Sequence, residues 1–193
     1  MAVYFDTSIF IEMGKRNSKY KRRLKTLLQD LSERRIRIYT SVVTVQEVSV
    51  AAHRKGAIPR DTIADVKDLA RIYTVTKEVA LTAAKREAEL KDISEAEESK
   101  RDPSKPPTEQ QKIDRACENR RRKWDCFHIA TAQKLGCDTL YSTDGGMLKR
   151  KRQMNLKDLD IIEPPEGLRT VSGPLLTGVP HDPKTRSSKK SKK

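Results

Sequence analysis

Four acidic residues stand in otherwise apolar or helical stretches of this chain: Asp6, Glu47, Asp125 and Asp144. They lie in the segments AVYFDTSIF, SVVTVQEVSVAAHR, KWDCFHIATAQKL and LYSTDGGML. Carboxylate oxygens are the ligands that Mg²⁺ and Mn²⁺ prefer. A cluster of three or four carboxylates can hold such an ion and leave positions open for water and a phosphate group. The pattern therefore indicates a cation site that acts on a polyanion.

Each acidic residue also has a purely structural interpretation. Asp6 could cap the turn after a strand, and Asp144 could belong to a turn, because Gly-Gly follows it. Asp125 could N-cap its helix. Glu47 suits helices in general. The hypothesis of a shared site depends on whether the four carboxylates meet at one place.

The elements that would position these residues alternate between strand and helix patterns. The sequence predicts short strands at residues 2–5, 37–40, 72–76, 139–142 and 159–162. It predicts helices at 19–33, from 41 or 44 to 56, 59–70 and from 77 to about 94. A polar helix that ends at 120–123 and a separate buried helix at 125–136 follow. Alternation of this kind predicts an α/β fold, a three-layer α/β/α sandwich with a central, mostly parallel five-stranded sheet.

Functional groups on such a sheet gather beyond the carboxyl ends of the strands. Asp6 and Asp144 directly follow the first and fourth predicted strands. Asp125 would open a helix, and Glu47 would lie about one turn into another helix. Four carboxylates that are distant in sequence are therefore expected to converge on one edge of the sheet.

The chain is expected to form one domain, residues 1–163, with a charged, proline-containing insertion at about 92–123. Pro, Gly and then Lys and Ser dominate residues 164–193, which predicts a linker and a disordered basic tail. The chain has 193 residues, which is enough for one domain with a substantial core.

The chain is strongly basic, with a formal net charge of +14. Removing the six positive charges of residues 184–193 still leaves +8 on the remainder. Such a field indicates a nucleic-acid partner. Two basic runs flank the proposed site and are predicted to contact phosphate groups: Arg120, Arg121, Arg122, Lys123, and Lys149, Arg150, Lys151, Arg152.

The three cysteines, Cys117, Cys126 and Cys137, form no CxxC pair. Their odd number and spacing fit neither a disulfide framework nor a zinc site, and suit a reducing compartment. The opening apolar run is interrupted by acidic residues, so no signal peptide or membrane span is predicted. The expectation is a soluble, cytoplasmic protein with no membrane partner.

His128 lies three residues after Asp125, on the same helical face. It could reach a substrate or orient a carboxylate, but a supporting role in packing or hydrogen bonding is the favoured interpretation.

The segments DTSIFI, TVQEV, DCFHIATA and the strand followed by STD together resemble the PIN-domain family of metal-dependent nucleases, which includes VapC-type toxins. The resemblance spans about residues 2–163. It implies that Asp6, Glu47, Asp125 and Asp144 form the acidic metal site, with the hydroxyl of Ser8 beside it. It also implies Mg²⁺ or Mn²⁺ as cofactor, hydrolysis of single-stranded RNA by a metal-activated water, frequent homodimers and, for toxins, a protein antitoxin.

The resulting prediction is a Mg²⁺- or Mn²⁺-dependent endoribonuclease, with the toxin of a toxin–antitoxin pair as one form that it could take. The alternative is a catalytically weak RNA-binding or complex-forming module with the same fold. Three features motivate that alternative: Gly146, the long insertion and the basic tail. Many members of the family carry a further acid two residues after the fourth one, where this chain has Gly146, and the insertion before Asp125 is longer than in compact toxins.

Overall fold

The computed structural model describes residues 1–56, 59–98 and 107–166. The elements follow in the order β1 (Ala2–Phe5), α1 (Thr7–Met13), α2 (Lys21–Glu33), β2 (Arg37–Ser41), α3 (Val42–Arg54), α4 (Pro59–Leu69), β3 (Arg71–Tyr73), α5 (Lys77–Glu98), α6 (Glu109–Lys134), β4 (Thr139–Tyr141), α7 (Gly145–Met154) and β5 (Asp160–Ile162).

The five strands form one parallel sheet in the order β3-β2-β1-β4-β5. The chain winds outward from β1 through β2 to β3, and then returns to build β4 and β5 on the other side. Strand β1 is therefore central, with Val3 opposite Ile38 of β2 and Thr139 of β4. The carboxyl ends of β1 and β4 meet where the strand order reverses, which is the usual place for a ligand crevice in open α/β sheets.

Helices cover both faces of the sheet because neighbouring side chains of a strand point to opposite faces. Val3 and Phe5 of β1 pack into an apolar cluster with α1 to α4. Tyr4, between them, packs into a second cluster with α5, α6 and α7. The predicted α/β/α sandwich with a parallel five-stranded sheet is confirmed.

Helix α6 runs without a break from Glu109 to Lys134. Two separate helices were expected here, with Asp125 opening the second, and that expectation was wrong. A capping box of Thr108 and Gln111 starts the helix. No Gly or Pro follows between residues 109 and 134 to end it. Asp125 consequently lies inside a helix and does not N-cap it.

Helix α7 was not predicted from the sequence, because Gly145 and Gly146 suggested a turn. Neither glycine has a positive φ. They form the first residues of α7, and Asp144 is its N-cap. Helix α5 also continues to Glu98, beyond the predicted end near residue 94.

The domain boundary near residue 163 stays a prediction. The segment after β5 is held to α2 by ion pairs from Arg23 to Glu163 and to Glu166. Residues 99–106 of the expected insertion and residues 167–193 of the expected linker and tail lie outside the described residues. Within the described part, no helix is both long and apolar enough to cross a membrane.

Candidate acidic site

Asp6 directly follows β1 and is 4 % exposed. Its Oδ1 caps α1, accepting from the backbone N–H of Ser8 at 2.9 Å and of Ile9 at 3.3 Å. The Ser8 hydroxyl donates to the same oxygen at 2.6 Å. The other oxygen, Oδ2, accepts from the hydroxyl of Ser142 at 2.6 Å. Asp6 thus performs the capping role and also faces the end of β4.

Asp144 is exposed and reaches the same place from the end of β4. Its backbone N–H donates to Ser142 Oγ at 3.0 Å, so one hydroxyl joins Asp144 to Asp6. Its Oδ1 accepts from the N–H of Gly146 at 2.8 Å. Within the described residues its Oδ2 has no hydrogen-bond partner. Ser8 completes this bridge, because its Oγ accepts from the N–H of Thr143 at 2.8 Å.

Glu47 extends from α3 towards a buried polar cluster under β1. Its Oε2 accepts from the hydroxyl of Thr7 and from His128 Nε2, the latter at 3.1 Å. The other ring nitrogen of His128 is hydrogen-bonded to the Tyr4 hydroxyl at 2.8 Å. His128 is 3 % exposed. Its two ring partners therefore hold the imidazole in one orientation.

Glu47 and His128 each stabilise the charged form of the other. Burial alone would lower the pKa of His128, but the hydrogen bond and charge of Glu47 and the charges of Asp6 and Asp125 outweigh it and raise that pKa. Burial alone would raise the pKa of Glu47, but the hydrogen bond and charge of His128 and the hydroxyl of Thr7 lower it. Glu47 and His128 therefore favour an ionised pair.

Asp125 lies one turn before His128 on α6. Its Oδ2 accepts from Arg150 Nε of α7 at 3.1 Å, and Arg150 also pairs with Glu118, two turns earlier on α6. Arg150 is 3 % exposed. Burial, with a smaller contribution from the charge of Asp144, raises the pKa of Asp125 to about 6, against the opposing charge and hydrogen bond of Arg150 and the charge of His128. The guanidinium therefore compensates the buried carboxylate only in part.

The four acids differ in whether a cationic side chain pairs with them. Glu47 has His128 and Asp125 has Arg150. Asp6 and Asp144 are bound by hydroxyl and amide groups, and neither lies within ion-pair distance of a cationic side chain in the described residues. Burial raises the pKa of Asp6, against the opposing effects of His128, Ser142 and Ser8. Asp6 and Asp144 are therefore the pair that most lacks positive charge.

Thr7 and Ser142 were not singled out from the sequence, although both are central to the hydrogen bonding. Thr7 is buried and contacts Glu47 and His128, and Ser142 is fully buried and joins Asp6 to Asp144. Their signal was visible as the hydroxyl residues in DTS and STD, beside the two acids at the strand ends.

The two basic runs divide by burial. Arg120, Arg121, Lys123, Lys149 and Arg152 are exposed, and Lys151 is half-buried and paired with Asp160. Arg122 and Arg150 are buried, 6 % and 3 % exposed. Arg150 lies within the acidic site, bound to Asp125. Therefore mainly the exposed members of each run are accessible for the predicted phosphate contacts.

The donor chemistry of the site suits a hard divalent cation. Four carboxylates with adjacent hydroxyls, and no thiolate among them, are oxygen ligands of the kind that Mg²⁺ and Mn²⁺ take. In residues 1–56, 59–98 and 107–166, no three His, Cys, Asp or Glu side chains are already arranged around one point as metal ligands. Protein donors occupy the carboxylates instead, as described above. The residues present fit the ion by donor type, and Asp6 and Asp144 also offer negative charge that no cationic side chain among the described residues pairs with.

The sequence matches the family model of the PIN domain over residues 3–153. The chain belongs to the PIN-domain family. That span begins within β1 and includes Asp6, the two helices that carry Glu47 and Asp125, and the end of β4 with Asp144. No curated protein matches the chain in sequence.

The chain is also similar to solved structures of VapBC and VapC proteins. VapBC2 from Rickettsia felis, bound to a DNA fragment from its promoter, has 11% identity and a TM-score of 0.50, covering 84% of this chain and 98% of that one. VapBC-1 from nontypeable Haemophilus influenzae has 16% identity and a TM-score of 0.48, covering 83% and 96%. VapC20 from Mycobacterium tuberculosis, a toxin that cleaves the sarcin–ricin loop, has 16% identity and a TM-score of 0.44, covering 74% and 90%.

Proposed function

We propose that this PIN-domain protein is a divalent-cation-dependent endoribonuclease that hydrolyses phosphodiester bonds of single-stranded RNA. The observation that carries the proposal is the Asp6–Ser142–Asp144 bridge at the reversal point of the sheet, where two carboxylates lie without a cationic partner among the described residues. Membership of the PIN-domain family supports the same reaction class.

The contacts of each residue suggest its role in the proposed reaction. Asp6 and Asp144 would hold Mg²⁺ or Mn²⁺ first, and Asp125 and Glu47 would complete the site directly or through water. The bound cation supplies an acidic water and neutralises charge on the phosphate group. His128 and Thr7 hold Glu47 in place, and Ser8 and Ser142 orient Asp6. Exposed members of the basic runs would attract the RNA backbone.

The test compares the full-length protein with its Asp6→Asn variant on labelled RNA and single-stranded DNA, in Mn²⁺, Mg²⁺ or chelator. Asp138→Asn is the matched control, because this exposed acid precedes β4, at the opposite edge of the sheet. We expect Asp6→Asn and chelator to lower the cleavage rate roughly 100-fold or more, since a metal contributes several kcal/mol to the transition state. Asp138→Asn should cleave at the wild-type rate.

Equal cutting by wild type and Asp6→Asn, or cutting that chelator leaves unchanged, would contradict the proposal. A second candidate is a catalytically weak RNA-binding module, and one observation favours it: Glu47 is already paired with His128, and Asp125 with Arg150. RNA that is bound by the wild-type protein but stays intact in Mn²⁺ and in Mg²⁺ is the result that this module predicts.

We further propose that the protein is the toxin of a toxin–antitoxin pair. The Rickettsia felis structure of the same fold is a VapBC assembly, which supports this pairing by fold analogy. The chain should then co-purify with a small protein from its natural host, and adding that protein should suppress RNA cleavage. If no co-purifying protein suppresses the cleavage, the toxin–antitoxin pairing is contradicted, while the proposed nuclease activity is unaffected.

A further inference from the structure

A groove lies between α5, α6 and α7, on the α6 side of the acidic site. Its volume is about 790 Å³. The groove is lined by charged and polar side chains, and its basic members are Lys91, Arg115, Arg121, Arg122, Lys149 and Arg150. We call it the α5–α7 groove.

The charges of the α5–α7 groove do not cancel. Three of its basic side chains have carboxylate partners, in the pairs Lys91–Glu95, Arg115–Glu98 and Arg150–Glu118. Arg121, Arg122 and Lys149 form no ion pair within the described residues. A fourth acid of the lining, Asp114, accepts from Gln110. Three unpaired cations therefore face one unpaired acid.

Arg122 is the unusual member of this set. It is 6 % exposed, yet its one hydrogen bond in the described part of the chain runs from Nη1 to Ser94 Oγ at 3.3 Å. Its Nε is buried without an acceptor. A buried guanidinium without a counter-charge is costly. An anion in the groove would supply the missing negative charge.

Arg150 joins the groove to the acidic site. Its Nη2 binds Glu118, which lines the groove, while its Nε binds Asp125 in the acidic site at 3.1 Å. One guanidinium thus borders both. The groove therefore adjoins the acidic site through Arg150.

We propose that the α5–α7 groove binds phosphodiester groups of the RNA strand that flank the scissile bond. Arg121, Arg122 and Lys149 make the contacts. The planar guanidinium fork suits phosphate oxygens, and the groove carries no aromatic side chain for base stacking. The groove therefore reads the backbone and positions the strand, and it does not select bases. This inference rests on the proposed endoribonuclease function.

The test measures binding of a fluorescent eight-nucleotide single-stranded RNA to the full-length protein in chelator, at several salt concentrations. Arg121→Gln and Arg122→Gln remove groove cations. Arg54→Gln is the matched control, because Arg54 is an exposed arginine of α3 that lies outside both basic runs and does not line the groove. We expect Arg121→Gln and Arg122→Gln each to weaken binding about 10-fold. The slope of log K against log salt should fall by roughly 0.7 per lost contact.

Equal weakening by Arg54→Gln and Arg121→Gln would show diffuse electrostatic attraction and would overturn the proposed role of the groove. Arg121 is exposed, so Arg121→Gln remains a valid test if Arg122→Gln does not fold. Tighter binding of a free mononucleotide than of the eight-nucleotide RNA would also overturn it, in favour of a small phosphorylated ligand. Cleavage assays in Mn²⁺ keep the two proposals apart. If the wild-type protein cleaves RNA but the groove variants bind RNA as the control variant does, only the groove proposal is rejected. If the groove variants bind RNA more weakly than the control variant but the wild-type protein does not cleave RNA, only the nuclease proposal is rejected.

Discussion

At the scale of single residues, the position two after Asp144 shows how closely the site is packed. Gly146 donates its N–H to Asp144 Oδ1. A Cβ added at Gly146 would lie 3.1 Å from that same oxygen, which is tighter than ordinary packing, whereas a Cβ at Gly145 would meet open space. The residue that replaces the extra acid of many family members thus allows the observed orientation of Asp144.

Gly146→Ala is therefore expected to push the Asp144 carboxylate aside and to lower the rate of RNA cleavage about 10-fold, as the loss of a group that orients a metal ligand does. Gly145→Ala makes the same chemical change one residue earlier and should leave the rate unaltered. Rates measured in Mn²⁺ for the two variants decide the point. Equal rates for the two variants would mean that Asp144 does not need this orientation.

At the scale of elements, α6 and α7 are held together by a buried ion pair. Arg150 of α7 binds Asp125 and Glu118, which lie two turns apart on α6. The pair fixes the segment of α6 that carries both Asp125 and His128. Breaking a buried pair on one side leaves a charge without compensation, which is strongly destabilising.

Arg150→Gln is expected to lower the free energy of unfolding by about 3 kcal/mol. Arg152→Gln removes an exposed arginine from the same helix and should change it by less than about 0.5 kcal/mol. Urea denaturation at neutral pH measures both. If Arg150→Gln lowers the free energy of unfolding no more than Arg152→Gln does, the ion pair does not stabilise the packing of α7 on α6.

At the scale of the whole molecule, a chain of net charge +14 concentrates unpaired carboxylates at one edge of its sheet. A ligand that binds only the folded state stabilises it by mass action. A cation held by Asp6 and Asp144 should therefore stabilise the entire domain, since both residues are buried or bridged at the centre of the sheet.

Mn²⁺ at about 100 times its dissociation constant is expected to raise the melting temperature by roughly 5 °C relative to chelator. Asp6→Asn should lose this shift and Asp138→Asn should keep it, each compared with its own metal-free sample. Differential scanning calorimetry provides the measurement. The same shift in all three proteins would place the binding of Mn²⁺ away from the acidic site.

Much of the architecture could be predicted because it depends on local patterns. Apolar runs that end at Asp6 and before Asp144 identify β1 and β4, and helical spacing identifies α2 and α3. The break predicted before Asp125 failed because a charged run was interpreted as an end signal, although no residue there stops a helix. Helix α7 was missed because two glycines favour a turn as readily as the first turn of a helix.

The sequence by itself determined the acids, the strands that end beside two of them, the parallel sheet and the basic field, because these depend on residue type and short-range period. Only the tertiary structure decided which charges meet. The Ser142 bridge spans 136 residues to Asp6, Arg150 pairs with Asp125 across 25 residues, and Arg122 is buried with no carboxylate partner among the described residues. Such partners depend on how the elements pack in space, and no local pattern encodes them.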